Sequence, residues 1–522
     1  MTMKASDRSI LHLQSMRHPP PIAGRSLLIV LLLLLAVTMG WSISTSPGIS
    51  IVVTVVIGSL ALGLFFARRS SAWLRTISRK PASTLEHPGV VTRSSPELAL
   101  PRFLYYFGAA TVAVLAIRPT SALTLSDWFF LASLVLTVSV LMMTRRLRFV
   151  GLPKGLAAGL LVYSAGAFMS SLQTDHTLSS LSFLLRFVYV TGVWFWLGTV
   201  VLETPKHVRT ATLCWTLSVA LSGAASIVQV LAGDVIPGAV TYYGRMSGLA
   251  QHFNDLGGMT SVALIPAAMI SSVVATRQGK LASFIVVSLI GAGLLLSGSI
   301  GAMIGAGAGS LAWVAMGRLT RRAVVVVLMV GLALLSVLRL QQGGGAPSPI
   351  ERLRGTTDSS SEYCSLCSRV ETNRAAWQSI KQHPLIGVGL DPVSNVTETG
   401  FQVHNTLLGS WYETGFPGFL GMVAILVSVA TSAINAMRAA RSREEWLICA
   451  ALLASFVVLF VNSMSAPILF QRYGWLGAAL VLAMRHQQQR RGISTQAVTK
   501  RLPGVTPLQG QRRWGVDPVR AE

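Results

Sequence analysis

The sequence predicts an all-α, polytopic integral membrane protein of about 12–14 transmembrane helices with one large external loop. Three observations predict it. Of the 522 residues, 52% are hydrophobic and only 12% are charged, whereas a soluble domain is about one quarter charged. Apolar runs of roughly 16–23 residues recur along the chain, close to the length one helix needs to cross the hydrocarbon. The basic residues are also sorted by side, as a membrane topology requires.

The elements follow in chain order. Residues 1–26, with Pro19-Pro20-Pro21, read as a disordered cytoplasmic start. Residues 27–340 hold eleven apolar runs: 27–45, 48–67, 103–118, 127–143, 152–170, 180–202, 210–232, 256–275, 281–298, 299–317 and 323–340. The first is expected to stay as a membrane helix, because Leu27 to Val37 leads into Thr-Met-Gly-Trp rather than a small-residue cleavage site. Residues 68–102 form a basic cytoplasmic loop. Gly291 to Gly293 and Gly301 to Gly309 supply small residues that permit close helix contact. Residues 341–406 are a polar island. Residues 407–484 hold three further runs (407–432, 446–463 and 465–484), and 485–522 form a basic cytoplasmic tail that reads as disordered.

The net charge of +24 invites a nucleic-acid partner, and its distribution rejects one. With the N-terminus inside and fourteen spans alternating, 33 of the 43 Lys and Arg fall on the cytoplasmic side and eight outside. Arg186 and Arg472 fall within spans. This is the positive-inside bias. Both termini are therefore expected in the cytoplasm, with weak attraction to anionic membrane lipids as a side effect.

The island is expected to carry the function, because ordered long loops are usually functional. Its first part, to about residue 366, is rich in Gly, Ser and Pro and reads as irregular. Ser368 is a candidate cap for a helix beginning at Arg369, and His383-Pro384 stops that helix. Ala375, Ala376, Trp377 and Ile380 supply its apolar side. Gly387-Val388-Gly389 reads as a turn, too weak a pattern for a phosphate loop.

Four cysteines are present. Cys214 and Cys449 lie in apolar runs and read as small core residues. Cys364 and Cys367 lack the second pair that zinc sites need, so a local disulfide is expected outside the cytoplasm. No metal site and no cofactor are expected, since no carboxylate pair of the DxD kind appears in the external loops.

The chemistry-bearing residues cluster toward the outer side. Arg245 follows the seventh run, Arg369 and Arg374 lie on the island helix, and Arg186 lies inside the sixth run. An arginine in hydrocarbon persists where it pairs, faces a cavity or binds an anion, and Arg472 raises the same question. His404, followed by Asn405, is a candidate general base at the outer rim, and His252 is a second. A neutral imidazole takes a proton from an attacking hydroxyl. Arginines beside it would hold it neutral and bind a pyrophosphate through charge-assisted bonds. One base with an arginine cluster suits transfer from a pyrophosphate-activated lipid to a hydroxyl acceptor.

At these residues the chain resembles the O-antigen ligase and polymerase superfamily of bacterial membrane glycosyltransferases. The likeness is carried by Gly244-Arg245-Met246-Ser247-Gly248-Leu249-Ala250-Gln251-His252-Phe253-Asn254. It is also carried by the succession Arg369, Trp377, His383-Pro384-Leu385-Ile386-Gly387-Val388-Gly389, His404-Asn405 and Glu413-Thr414-Gly415. The resemblance implies a polyprenyl-diphosphate-linked glycan donor, a glycan, lipid or protein acceptor, and reaction on the external face of the bacterial inner membrane. It implies that His404 activates the acceptor and that Arg245 and Arg369, with Arg186, hold the diphosphate. One departure stands out: many members carry an arginine after a serine where this chain has Ser299-Ile300. If that arginine binds phosphate elsewhere in the family, this chain is expected either to replace it, with Arg374 as the candidate, or to bind a different donor. The competing expectation is a flippase for lipid-linked glycans, which would place its charges at mid-membrane depth among repeats.

Overall fold

The computed structural model describes residues 95–116, 123–144, 152–233, 235, 241, 244–274, 276–316, 365–391, 393 and 396–501. The runs 27–45, 48–67 and 323–340, and Cys364, lie outside the described residues. The described chain is all-α. Its helices are α1 (Ala99–Thr111), α2 (Leu125–Met143), α3 (Lys154–Ser171) and α4 (Thr177–Val201), the last with a π turn at Tyr189–Val193. They continue as α5 (Pro205–Ala232), α6 (Phe253–Val273), α7 (Arg277–Ser297), α8 (Ile300–Ala315), α9 (Ser365–Gln382), α10 (Thr406–Arg438), α11 (Arg443–Ser463) and α12 (Arg472–Arg501). Seven are long and apolar enough to cross a membrane: α2, α4, α5, α6, α7, α10 and α11.

Small residues set the closest approaches. Along α3, a Cβ on Gly159 would meet the Gly421 carbonyl at 3.0 Å, and one on Gly166 would meet the Gly418 nitrogen at 2.7 Å. The α3 and α10 backbones therefore touch, which only small residues allow. On α8, a Cβ at Gly305 would meet Asn462 and one at Gly309 would meet Val458, both on α11. The glycine-rich stretch thus serves packing, as its composition suggested.

Four boundaries differ from the sequence reading. The run 103–118 is helical only to Thr111, after which the Leu115 and Ala116 amides turn to the Leu249 carbonyl at 2.9 and 2.8 Å. The run 465–484 becomes helical only at Arg472, so Arg472 opens α12 rather than lying inside a span. The tail read as disordered from about 485 continues α12 to Arg501, with the Gln488 side chain donating to the Ala436 carbonyl at 2.9 Å and Arg491 pairing with Glu445 at 2.6 Å. Helix α9 is under way at Ser365, so Ser368 is not its cap; the Ser368 carbonyl instead accepts from the Thr372 hydroxyl.

The buried side of α9 is Thr372, Ala376 and Ile380, spaced four apart. Ala376 and Ile380 pack with Val403 and Tyr412. Trp377 sits at the edge, 43% exposed, edge-on to Trp411. The helix ends at Gln382, before Pro384, as expected.

The 383–389 stretch is more than a turn. Helix α10 breaks at Gly415, where φ is 72° and ψ is −177°, a backbone region open essentially to glycine alone. The break redirects the Phe416 amide to the Pro384 carbonyl at 3.1 Å, and Pro417 has no amide hydrogen to give. The carbonyls of Tyr412 and Glu413 therefore lose their helical partners. The Val388 amide donates to the first and the Gly389 amide to the second, each at 2.9 Å. Gly387 lies so close to the Glu413 carbonyl that a Cβ would come within 2.4 Å. The glycines let one backbone replace another's missing hydrogen bonds.

Candidate active site

One cavity of about 450 Å³ gathers much of the chemistry read from the sequence, a volume in the range of ligand pockets. Its lining includes Arg186 from α4, His252, Asn254 and Asp255 at the start of α6, Gln402 and His404 before α10, Glu413 on α10, and Arg472 and Tyr473 at the start of α12. It lies at one end of the bundle. Arg186 belongs to the N-terminal half of α4, whereas Glu203, beyond that helix's C-terminal end, pairs with Arg102 at 2.6 Å.

The two histidines are held in opposite tautomers. His404 Nδ1 lies 2.7 Å from the Gln402 carbonyl oxygen. A carbonyl only accepts, so Nδ1 carries the proton and Nε2 of the neutral ring keeps its lone pair. His252 caps α6, and its Nδ1 accepts from the Asn254 amide at 3.1 Å. Its proton therefore sits on Nε2, leaving no free lone pair on the neutral ring. Burial pushes the His404 imidazole below its ordinary pKa; the bond to Gln402 pushes back, and nearby Arg369 pushes it down again. Burial also lowers His252, with Arg245 and then His404 adding to the effect. Both rings are neutral at pH 7, but only His404 is arranged to accept a proton.

The cations divide by role. Arg186 faces the cavity with its guanidinium carbon 5.3 Å from the Phe470 ring centroid and 6.0 Å from that of Phe183. Arg472 forms a buried ion pair with Asp127 on α2, at 2.7 Å, and the two side chains are 3% and 1% exposed. Its charge is compensated within the fold. Arg245 stands behind the cavity wall. It donates to the Asn254 side chain at 2.7 Å and to the Ser297 carbonyl at 2.8 Å, and lies 3.4 Å over the Phe253 ring. Arg369 acts electrostatically on His404 from α9. Arg374 is exposed and is not among the lining residues. The cation that reaches the Ser297–Ile300 corner is thus Arg245, not Arg374.

Asn405 caps α10, accepting from the Leu407 and Leu408 amides at 3.0 Å each, which accounts for its place beside His404. Cys367 is disulfide-bonded, whereas Cys214 and Cys449 are free.

Residues 285–423 match the family model for O-antigen ligase. That match supports the O-antigen ligase/polymerase superfamily over this segment, in a chain with seven helices long and apolar enough to cross a membrane. No curated protein sequence matches the chain. The matched O-antigen ligase segment supplies Gln402, His404 and Glu413 to the cavity and includes Arg369 nearby, whereas Arg186, His252, Asn254, Asp255, Arg472 and Tyr473 come from outside it. The family implies glycosyltransferase-type chemistry.

Sequence reasoning passed over Asp255, Glu413, Gln402 and Tyr473 as site residues. A usable signal existed for Glu413. It is an ionisable residue within the apolar run 407–432, and such residues mark sites in membranes by the same rule that singled out Arg186.

Proposed function

We propose that this protein transfers a glycan from a polyprenyl diphosphate carrier to an acceptor hydroxyl. The reaction would run at the membrane face opposite the cytoplasm, where the charge distribution places the island. The acceptor oxygen attacks the anomeric carbon of the donor sugar while the bond from that carbon to the diphosphate oxygen breaks. The hydroxyl proton passes to His404 Nε2, and the electron pair leaves with the diphosphate. Arg186 faces the leaving charge directly. Arg245 and Arg369 border the site and add positive potential, which stabilises charge as it develops. Neutral His404 at pH 7 suits a base that must accept a proton during attack.

The observation that carries this reading is the His404–Gln402 hydrogen bond, which leaves an unprotonated ring nitrogen on a histidine that lines the same cavity as Arg186. The test is transfer by the purified protein in liposomes holding a lipid-linked glycan donor and a hydroxyl acceptor. His404→Ala is expected to slow transfer about 10²- to 10⁴-fold. Movement of the donor across the bilayer with no released polyprenyl diphosphate would instead make the protein a flippase.

A further inference from the structure

We infer that Glu413 is the group in this cavity that recognises a sugar hydroxyl of the bound glycan. This rests on the glycan-transfer reading above and adds a residue with a different task.

Glu413 is 5% exposed and lines the cavity with His404. Its Oε2 is buried with no hydrogen-bond partner. Among the described residues it takes part in no ion pair; the four pairs found join other residues. A buried carboxyl oxygen left unmatched carries a large desolvation cost, so such groups are normally satisfied. One turn earlier on α10, the buried Ser410 hydroxyl interacts with the Tyr163 hydroxyl, so those two polar groups have each other and Glu413 Oε2 does not share in the pair. The other carboxylate of the cavity is placed differently: Asp255 stands 3.5 Å from the Tyr473 hydroxyl.

The backbone explains why Glu413 is held so firmly. It occupies the last turn before the Gly415 break, and its carbonyl is taken by the Gly389 amide. A recognition group discriminates best from a rigid base, and the backbone that carries this side chain is pinned by the Gly389 amide. A carboxylate accepts from sugar hydroxyls and is repelled by the charge of a diphosphate, and in its protonated form the same group can also donate to a hydroxyl. The ligand chemistry that fits is therefore a polyol, meaning a sugar ring of either the donor or the acceptor.

The experiment compares wild type with Glu413→Gln and Glu413→Ala in detergent, after thermal unfolding confirms that each variant is folded. Binding is measured for polyprenyl diphosphate without a sugar and for the glycan-bearing carrier, and KM is measured for the acceptor. If the donor sugar is the ligand, Glu413→Ala weakens the glycan-bearing carrier about 10- to 100-fold. The bare carrier is unchanged, and Glu413→Gln falls between. If the acceptor sugar is the ligand, both carriers bind as in wild type and acceptor KM rises by a similar factor with kcat nearly kept. Equal weakening of the bare and glycan-bearing carriers would overturn the inference, as would variants that match wild type in every measure. Wild-type protein that binds neither carrier would instead remove the transfer reading on which the inference rests.

Discussion

The Arg472–Asp127 pair yields the most quantitative expectation. Both side chains are almost wholly buried, and two guanidinium nitrogens reach the carboxylate at 2.7–2.9 Å. Asp127 has a second duty: its Oδ2 also accepts from the Thr124 amide at 2.7 Å and hydroxyl at 2.9 Å, closing the capping box of α2. Asp127→Asn keeps a cap acceptor but leaves a buried cation without its counter-charge, at a cost of about 3–5 kcal/mol. Arg472→Met leaves a buried carboxylate that retains its cap donors and the favourable N-terminal end of α2. Its cost is expected near the lower end of the same range. The double variant removes both charges and keeps the volume, so it is expected to lose about 2 kcal/mol less than the sum of the singles. Unfolding in mixed micelles followed by tryptophan fluorescence measures all three, since Trp475 is fully buried one turn away. Singles that stay within about 1 kcal/mol of wild type, or a double that loses the full sum, would refute the assignment of Arg472 to the fold. So would folded Arg472→Met protein that has lost diphosphate binding.

Four further expectations follow from the site and from the α10 break. His252→Asn keeps a good helix cap and is expected to cost at least tenfold less transfer activity than His404→Ala; the reverse order, read from initial rates, would sink the tautomer assignment. The base must be neutral, and His404 lies below the ordinary imidazole range, so activity should be full at pH 7 and fall as pH drops through that lowered value. Arg369→Gln removes a cation that depresses it, and the acid limb of the pH–rate profile should move to higher pH; an unmoved limb would detach Arg369 from the base. Gly415→Ala forces a non-glycine residue into a strained region and sets its Cβ 2.2 Å from the Leu385 carbonyl. A loss of more than about 1–3 kcal/mol is expected, visible as reduced folded yield, whereas near-wild-type stability would show that the α10 break is not needed.

Much of the fold was legible because a membrane helix announces itself locally. The runs beginning near 127, 152, 180, 210, 256, 281, 407 and 446 appear as helices within a few residues of their expected bounds. The exceptions are the ends whose hydrogen-bond partners lie elsewhere. Nothing local declares that the Leu115 and Ala116 amides will meet Leu249, and nothing in Gln488 or Arg491 declares that α10 and α11 will receive their side chains. The site was legible as residue types and less so as roles. His404, His252, Arg186 and Arg472 do share one cavity, yet Arg374 stays exposed outside it and Asn405 serves as a cap.

The sequence by itself determined what depends on composition and local order: the helical class, the apolar spans and the order of the motif residues. Hydropathy and charge act residue by residue, so they survive without knowledge of neighbours. Only the tertiary structure decided which histidine keeps a free lone pair, which arginine is neutralised and which carboxyl is left unmatched. Each of those properties belongs to a polar group and its surroundings together: the histidines meet partners two residues away in loop and cap geometry, whereas the ion pair is brought together by the packing of apolar helices. Arg472 met Asp127, 345 positions earlier, only because the folded bundle set α12 beside α2.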